Sequence, residues 1–226
     1  MTDERPKDAI RDAATVLLVR KDNGAPQVLM GQRGKNAAFF PSKFVFPGGA
    51  VDRQDHDVTA SAPLPGEDAA KLASRSETDL AATLALTAIR ELWEEAGLAL
   101  SAPGDAPDTV PSEWVEFYSA GHRPNAACLR FIFRAITPPG RPRRFDARFF
   151  MADAAAISGN PDDFSRASDE LSHLSWLTLE EARGLDLPFI TGVVLGELAA
   201  HIEAPEQSRP IPFFYTRDGK SFIDEI

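Results

Sequence analysis

Basic residues are scarce in this 226-residue chain: 24 Lys and Arg stand against 34 Asp and Glu, a formal charge of −10. That balance excludes a general nucleic-acid binder, because such binding needs a dense basic surface that releases counterions from phosphates. An anionic substrate would have to be met by a bridging metal or by a small local group of cations. Cysteine is nearly absent. Cys128 stands alone, which excludes an intramolecular disulfide and a cysteine-based zinc cage. No run approaches the roughly 18 uninterrupted apolar residues of a membrane span. The stretch from Met1 to Asp12 is polar, without the apolar core of a secretory signal, and Asp224-Glu225-Ile226 matches no retention or peroxisomal address. A cytoplasmic location with no membrane partner is the expectation.

What is present is a globular composition, 43% apolar and 26% charged, long enough to bury a substantial core. We read 1–226 as a single domain, on a prior of about 100 to 200 residues per domain. Ala13 to Arg20 and Gln27 to Gln32 read as a hairpin around Asp22-Asn23-Gly24, and Lys43 to Phe46 as a third strand stopping at Pro47-Gly48-Gly49. Ala50 to Ser76 reads as a loop or loosely helical insertion, and Thr78 to Leu98 as a helix. Trp114 to Ser119, Ala127 to Ile136, Phe145 to Ala152 and Leu171 to Leu177 are strand candidates. Thr178 to Glu181 reads as a capping box, and Thr191 to Ile202 as a helix. Strands, one central helix, more strands and late helices imply an α/β or α+β sandwich.

The most informative segment is Arg90-Glu91-Leu92-Trp93-Glu94-Glu95-Ala96-Gly97-Leu98. At about 100° per residue, Glu91, Glu94 and Glu95 share one arc, while Ala85, Ile89, Leu92, Trp93 and Ala96 form the opposite, core-facing arc. Like charges one turn apart, near a helix carboxyl end, are destabilising on both counts. An acidic solvated face reads the same way in isolation. A hard divalent cation removes the conflict, since Mg2+ and Mn2+ favour clustered oxygen ligands. Arg90 is spaced to hold a carboxylate in its ligating orientation, and Gly97 to end the helix. Upstream, Phe46-Pro47-Gly48-Gly49 is a paired-glycine turn that lets backbone approach a ligand closely.

Together these residues resemble the Nudix hydrolases, whose signature is Gly-x5-Glu-x7-Arg-Glu-U-x-Glu-Glu-x-Gly-U with U aliphatic. Arg90 to Leu98 matches its second half throughout, and Gly49 fits its opening glycine. Two departures stand out. Between Gly49 and Arg90 lie 40 residues where the signature has 13, so 27 are inserted, at about 53–81. The position eight before Arg90 is Ala82 instead of glutamate, and neither Glu67, Glu77 nor Asp79 is assigned its role. The interrupted box and the Phe-Pro-Gly-Gly lead resemble the branch that includes peroxisomal acyl-coenzyme A diphosphatases.

The resemblance implies an α/β/α sandwich with a mixed sheet, and hydrolysis of a diphosphate by water with Mg2+ or Mn2+. It implies Glu91, Glu94 and Glu95 as metal ligands with the Gly49 carbonyl, and Arg90 orienting the acids. Glu94 and Glu170 are both open as general base. Arg33, Lys35, Gly48 and Gly49 are substrate-binding candidates, with Arg141, Arg143 and Arg144 a second cationic cluster and Phe39 and Phe40 a pocket lining. His56, His122, His173 and His201 lack ligand spacing. The expected substrate is coenzyme A or an acyl derivative. A pyrophosphatase of NADH or ADP-ribose is the alternative enzyme, and a Nudix-fold module without catalysis the non-enzyme reading. A homodimer using an exposed Trp114 or Phe213-Phe214 is a further expectation.

Overall fold

A computed structural model describes residues 9–21, 24–35, 37, 39–76, 80–205 and 207–226. Asp22 and Asn23 of the expected turn, Thr78 of the expected helix start, and Glu77 and Asp79 lie outside the described residues. The fold is built on β1 (Ile10–Arg20), whose side chains alternate between two buried layers. Val16 and Leu18 enter one core, while Leu17 and Val19 enter the other. A strand buried on both faces belongs at the centre of a sheet covered on both sides.

The remaining strands are β2 (Gln27–Arg33), β3 (Phe44–Val45), β4 (Gly48–Ala50), β5 (Ser101–Pro103), β6 (His122–Pro124), β7 (Arg130–Ile136), β8 (Arg144–Asp153), β9 (Leu171–Thr178), β10 (Pro212–Arg217) and β11 (Lys220–Glu225). The helices are α1 (Gly66–Ala73), α2 (Ala81–Ala96), α3 (Val115–Ser119), α4 (Leu179–Arg183) and α5 (Phe189–Glu203). The main sheet runs β11-β10-β7-β8-β1-β2-β3, with β4 pairing β1 and β9 pairing β2. β1 is parallel to β8 and β10 to β7, while the other pairs are antiparallel, so the sheet is mixed. β5 and β6 form a separate ribbon.

Helices cover both faces, giving an α/β/α sandwich. On one face α2 buries Leu84, Ala85, Ala88, Ile89, Leu92 and Trp93, and on the other α5 buries Val194, Leu195 and Leu198. Gly97 ends α2 at φ 72°, its N–H donating to the Trp93 carbonyl. β1 divides its partners: Val19 and Arg20 pair with β2, whereas Ala13, Ala14 and Thr15 pair with Ala50, Gly49 and Gly48 of β4. The glycine strand is thereby laid beside α2. Among the described residues no helix is long and apolar enough to cross a membrane.

Several expectations are corrected. Trp114 to Ser119 is a 3-10 turn followed by α3, not a strand. Trp114, Phe117 and Tyr118 are spaced i, i+3 and i+4, the helical period, and all three are buried. Trp114 is fully buried and Phe213 is 8% exposed, so neither is an exposed interface residue. Phe213 is buried because Pro212–Arg217 and Lys220–Glu225 form the terminal hairpin β10–β11. The expected strand Ala127 to Ile136 begins only at Arg130.

The described part of the inserted segment is integrated into the fold. It supplies a 3-10 turn (Arg53–Asp57) and α1, and Val58, Leu64 and Leu72 join the α2 core. Ser61 N–H donates to the Pro124 carbonyl (2.8 Å), and buried Asp68 accepts from Phe131 N–H (3.0 Å).

Candidate functional site

The acidic arc of α2 faces the glycine strand, and the two are fitted to each other. Gly48 N–H donates to Glu95 Oε2 at 2.8 Å. A methyl group at Gly49 would lie 2.6 Å from Glu91 Oε2, and one at Gly48 2.6 Å from the Ala14 carbonyl oxygen. Gly48 is required by the close approach of the neighbouring strand's backbone, whereas a methyl group at Gly49 would have to displace the Glu91 carboxylate. Glu95 is 2% exposed and the Glu91 side chain 12%, so these two acids are not a solvated helix face, while Glu94 is partly exposed.

Arg90 is the hub. Its Nη1 reaches Glu91 Oε1 and Glu94 Oε2, each at 3.0 Å, and its Nη2 donates to the Ala50 carbonyl (3.1 Å). Its remaining donors go to Asp55, from Nε to Oδ1 (2.8 Å) and from Nη2 to Oδ2 (3.1 Å). Burial draws the guanidinium pKa down, but the Asp55 bonds and the charge of Glu91 outweigh this and hold it above its ordinary value. Arg90 therefore stays charged; its bidentate grip is on Asp55, and with the guanidinium so held, the shared Nη1 orients Glu91 and Glu94.

Asp55 was not anticipated. It is fully buried and also accepts from Thr87 Oγ1 (2.7 Å), Trp114 Nε1 (3.1 Å) and Asp52 N–H (3.0 Å). The signal was available in the register: counted forward from Gly49, the x5 spacing ends on Asp55, whereas counting back from Arg90 across the insertion lands on Ala82. Ala82 is exposed on the outside of α2. The carboxylate in that place is present as aspartate, and the inserted chain follows it.

The carboxylates are short of positive charge. Burial pushes the Glu91 carboxyl up to about 7, with Arg90 opposing, and raises Glu94 for the same reason. Glu95 is driven well above the usual carboxylate range by burial and by Glu91, and its nearest cation is Arg33 Nη1 at 3.9 Å. A divalent cation is what such a set of hard oxygen donors lacks, and in that chemical sense these residues fit one. Among the described residues no three acidic, His or Cys side chains already converge as a metal cage. Glu91 and Glu94 are instead turned to Arg90.

These groups line a cavity of about 670 Å³ that also reaches Arg33, Glu170, Arg141 and Arg143. Its walls include Phe39, Phe40, Phe145, Phe189 and Phe214. Glu170 is held near α2 because the chain before it packs on the helix end: Ser168 N–H donates to the Glu94 carbonyl (3.1 Å), and Arg166 lies 4.8 Å over the Trp93 ring. Lys35 is not in this cavity; it lines a smaller adjoining depression with Arg33 and Glu170. Arg144 is absent from the cavity wall, its Nε donating to the Thr137 carbonyl (3.1 Å). The four histidines line neither hollow. Among the described residues of the insertion, 56–76 do not line the cavity either.

No family model matches the chain. Among curated proteins it is 27% identical to the acyl-coenzyme A diphosphatase NUDT19 of Gallus gallus, over 76% of this chain and 62% of that one. A second relative, from Caenorhabditis elegans, is matched over 52% of its length, also at 27% identity. The chain thus spans little more than half the length of these relatives. Among solved structures, a NUDIX hydrolase from Alicyclobacillus acidocaldarius is 29% identical, with a TM-score of 0.64, covering 85% of this chain and 92% of that one. The NUDIX domain of Shewanella oneidensis NrtR, 13% identical with a TM-score of 0.51 over 88% and 94% of the chains, shares the fold.

Proposed function

We propose that this chain, which belongs to the Nudix hydrolase family, hydrolyses a diphosphate linkage in a nucleoside diphosphate derivative with Mg2+ or Mn2+, coenzyme A or an acyl-coenzyme A being the favoured substrate. One observation carries the reading: a single cavity joins buried carboxylates beside a glycine strand to arginines and a wall of aromatic rings. Carboxylates alone would repel a diphosphate. With a cation between them, and arginines beyond, the same cavity takes one, and the rings suit a base or an apolar acyl arm.

Glu91, Glu94, Glu95 and the Gly49 carbonyl would hold the cation, which when bound supplies charge neutralisation at the phosphoryl oxygens and lowers the pKa of a coordinated water. Arg90 orients Glu91 and Glu94, and the Gly48 N–H fixes Glu95. Arg33 faces the diphosphate, with Lys35 beside the entrance. The oxygen of water bonds to phosphorus, the bridging P–O bond breaks, and the proton passes to a carboxylate. Glu170 is the base favoured, because it faces the cavity and has no ion-pair partner among the described residues, whereas Glu94 is engaged by Arg90.

A substrate panel with Mg2+ or Mn2+ tests this. Coenzyme A is expected to yield 3′,5′-ADP and phosphopantetheine. Cleavage of NADH or ADP-ribose with coenzyme A left intact would overturn the substrate. No turnover of any of them would favour a binding module.

A further inference from the structure

We propose that Arg141 and Arg143, on the turn between β7 and β8, form a second anion subsite that takes the 3′-phosphate of the substrate's nucleoside, a group separate from the diphosphate. The inference rests on the diphosphatase reading above and deepens it.

The turn is anchored, not loose. Thr137 N–H donates to the Phe145 carbonyl (2.9 Å) and Phe145 N–H to Thr137 Oγ1 (3.0 Å), while Gly140 at φ 82° makes the reversal between them. Thr137, Pro138, Arg141 and Arg143 all line the cavity. Arg144 is spent on a backbone carbonyl, but among the described residues Arg141 and Arg143 have no hydrogen-bond or ion-pair partner. In a chain of net charge −10, two unpaired guanidinium groups on one cavity wall form a local site of opposite sign.

Distance separates this wall from the carboxylates. Arg148 of β8 pairs with Ala14, and Ala14 with Gly49. Arg143 precedes Arg148 by five residues, about 16 Å along the strand, and two strand spacings add about 10 Å across. Backbone to backbone, the two ends are farther apart than a diphosphate, two phosphorus atoms joined through one oxygen, is long. The arginines therefore serve another anionic part of the same molecule. What lies beside them is aromatic: Phe145, two residues on, meets Phe39 edge-on at 5.2 Å, and both rings line the cavity. Rings for a base next to a guanidinium pair for a dianion are the recognition chemistry of a nucleoside phosphorylated on its ribose.

The test compares coenzyme A with 3′-dephospho-coenzyme A in steady-state kinetics of the whole chain, and measures calorimetric binding of adenosine 3′,5′-bisphosphate against 5′-AMP. Wild type is expected to favour coenzyme A by about 10- to 100-fold in kcat/KM, through KM, as for one or two charge-assisted contacts. The double variant Arg141→Ala/Arg143→Ala is expected to bring that ratio, and the binding ratio, close to one, and the double lysine variant to restore part of each. Equal turnover of the two substrates by wild type would overturn the subsite while leaving the diphosphatase intact. A binding preference that depends on the arginines, in a chain that cleaves neither substrate, would support the subsite and overturn the activity.

Discussion

Changing Glu95 to glutamine is expected to lower kcat for diphosphate hydrolysis by about 100- to 1,000-fold, the cost of removing one group that supports charge in a preorganised site. Glu95 is 2% exposed, its carboxyl is held near the Gly48 amide, and its nearest cation is 3.9 Å away. Such a group contributes little to the stability of the metal-free fold, since burial and the neighbouring Glu91 both disfavour its charge. The amide has the same shape and keeps an oxygen for the Gly48 N–H. The Tm of the metal-free variant is therefore expected to match or exceed that of wild type, while Mn2+ affinity measured by calorimetry falls. Loss of activity accompanied by a lower Tm would mean that Glu95 is structural, and full activity would remove it from the site.

Asp55 is expected to behave in the opposite way. Its carboxylate takes two donors from Arg90 and one each from Thr87, Trp114 and the Asp52 amide, with no exposure to water. Asp55→Ala leaves the Arg90 guanidinium, only 6% exposed, without its main counter-charge. Removing one partner of a buried pair costs about 3–5 kcal/mol, which for a domain of this size lowers Tm by about 6–20 °C. Urea unfolding gives the free energy. Trp114→Phe, which removes one neutral donor to the same carboxylate, is the comparison and is expected to cost about 1.5–3 kcal/mol, the range for a hydrogen bond to a charged group. Asp55→Glu is expected to recover part of the loss. A change below about 1 kcal/mol for Asp55→Ala would show that Arg90 is held by Glu91 and Glu94 instead, and that Asp55 is dispensable.

The sequence and the structure part company where contacts are long-range. The α2 face was legible because its i, i+3, i+4 acids and terminal glycine are local geometry, and the three-dimensional arrangement keeps that face intact. Gly48 and Gly49 were legible as a turn, but the reasons for them were not: a Thr15 strand neighbour and the Glu91 carboxylate lie far off in the chain. Asp55 was hidden by the direction of counting, since the insertion shifts the register only when approached from Arg90. Trp114 looked like a strand residue because aromatics favour strands, while its partners Phe117 and Tyr118 follow the helical period and bury all three rings. Arg33, Lys35, Arg141, Arg143 and Arg144 were indistinguishable as loop cations. Only tertiary packing brings Arg33, Arg141 and Arg143 to one cavity, Arg33 beside Glu95 and the other two on the β7–β8 turn, and sends Lys35 and Arg144 elsewhere.

Anomalous diffraction from Mn2+-soaked crystals tests the metal centre most directly. A peak within about 2.5 Å of carboxylate oxygens of Glu91, Glu94 or Glu95, beside the Gly49 carbonyl, is the result expected for a hard cation on oxygen ligands. No peak in that cavity, at a Mn2+ concentration that supports turnover in solution, would contradict it.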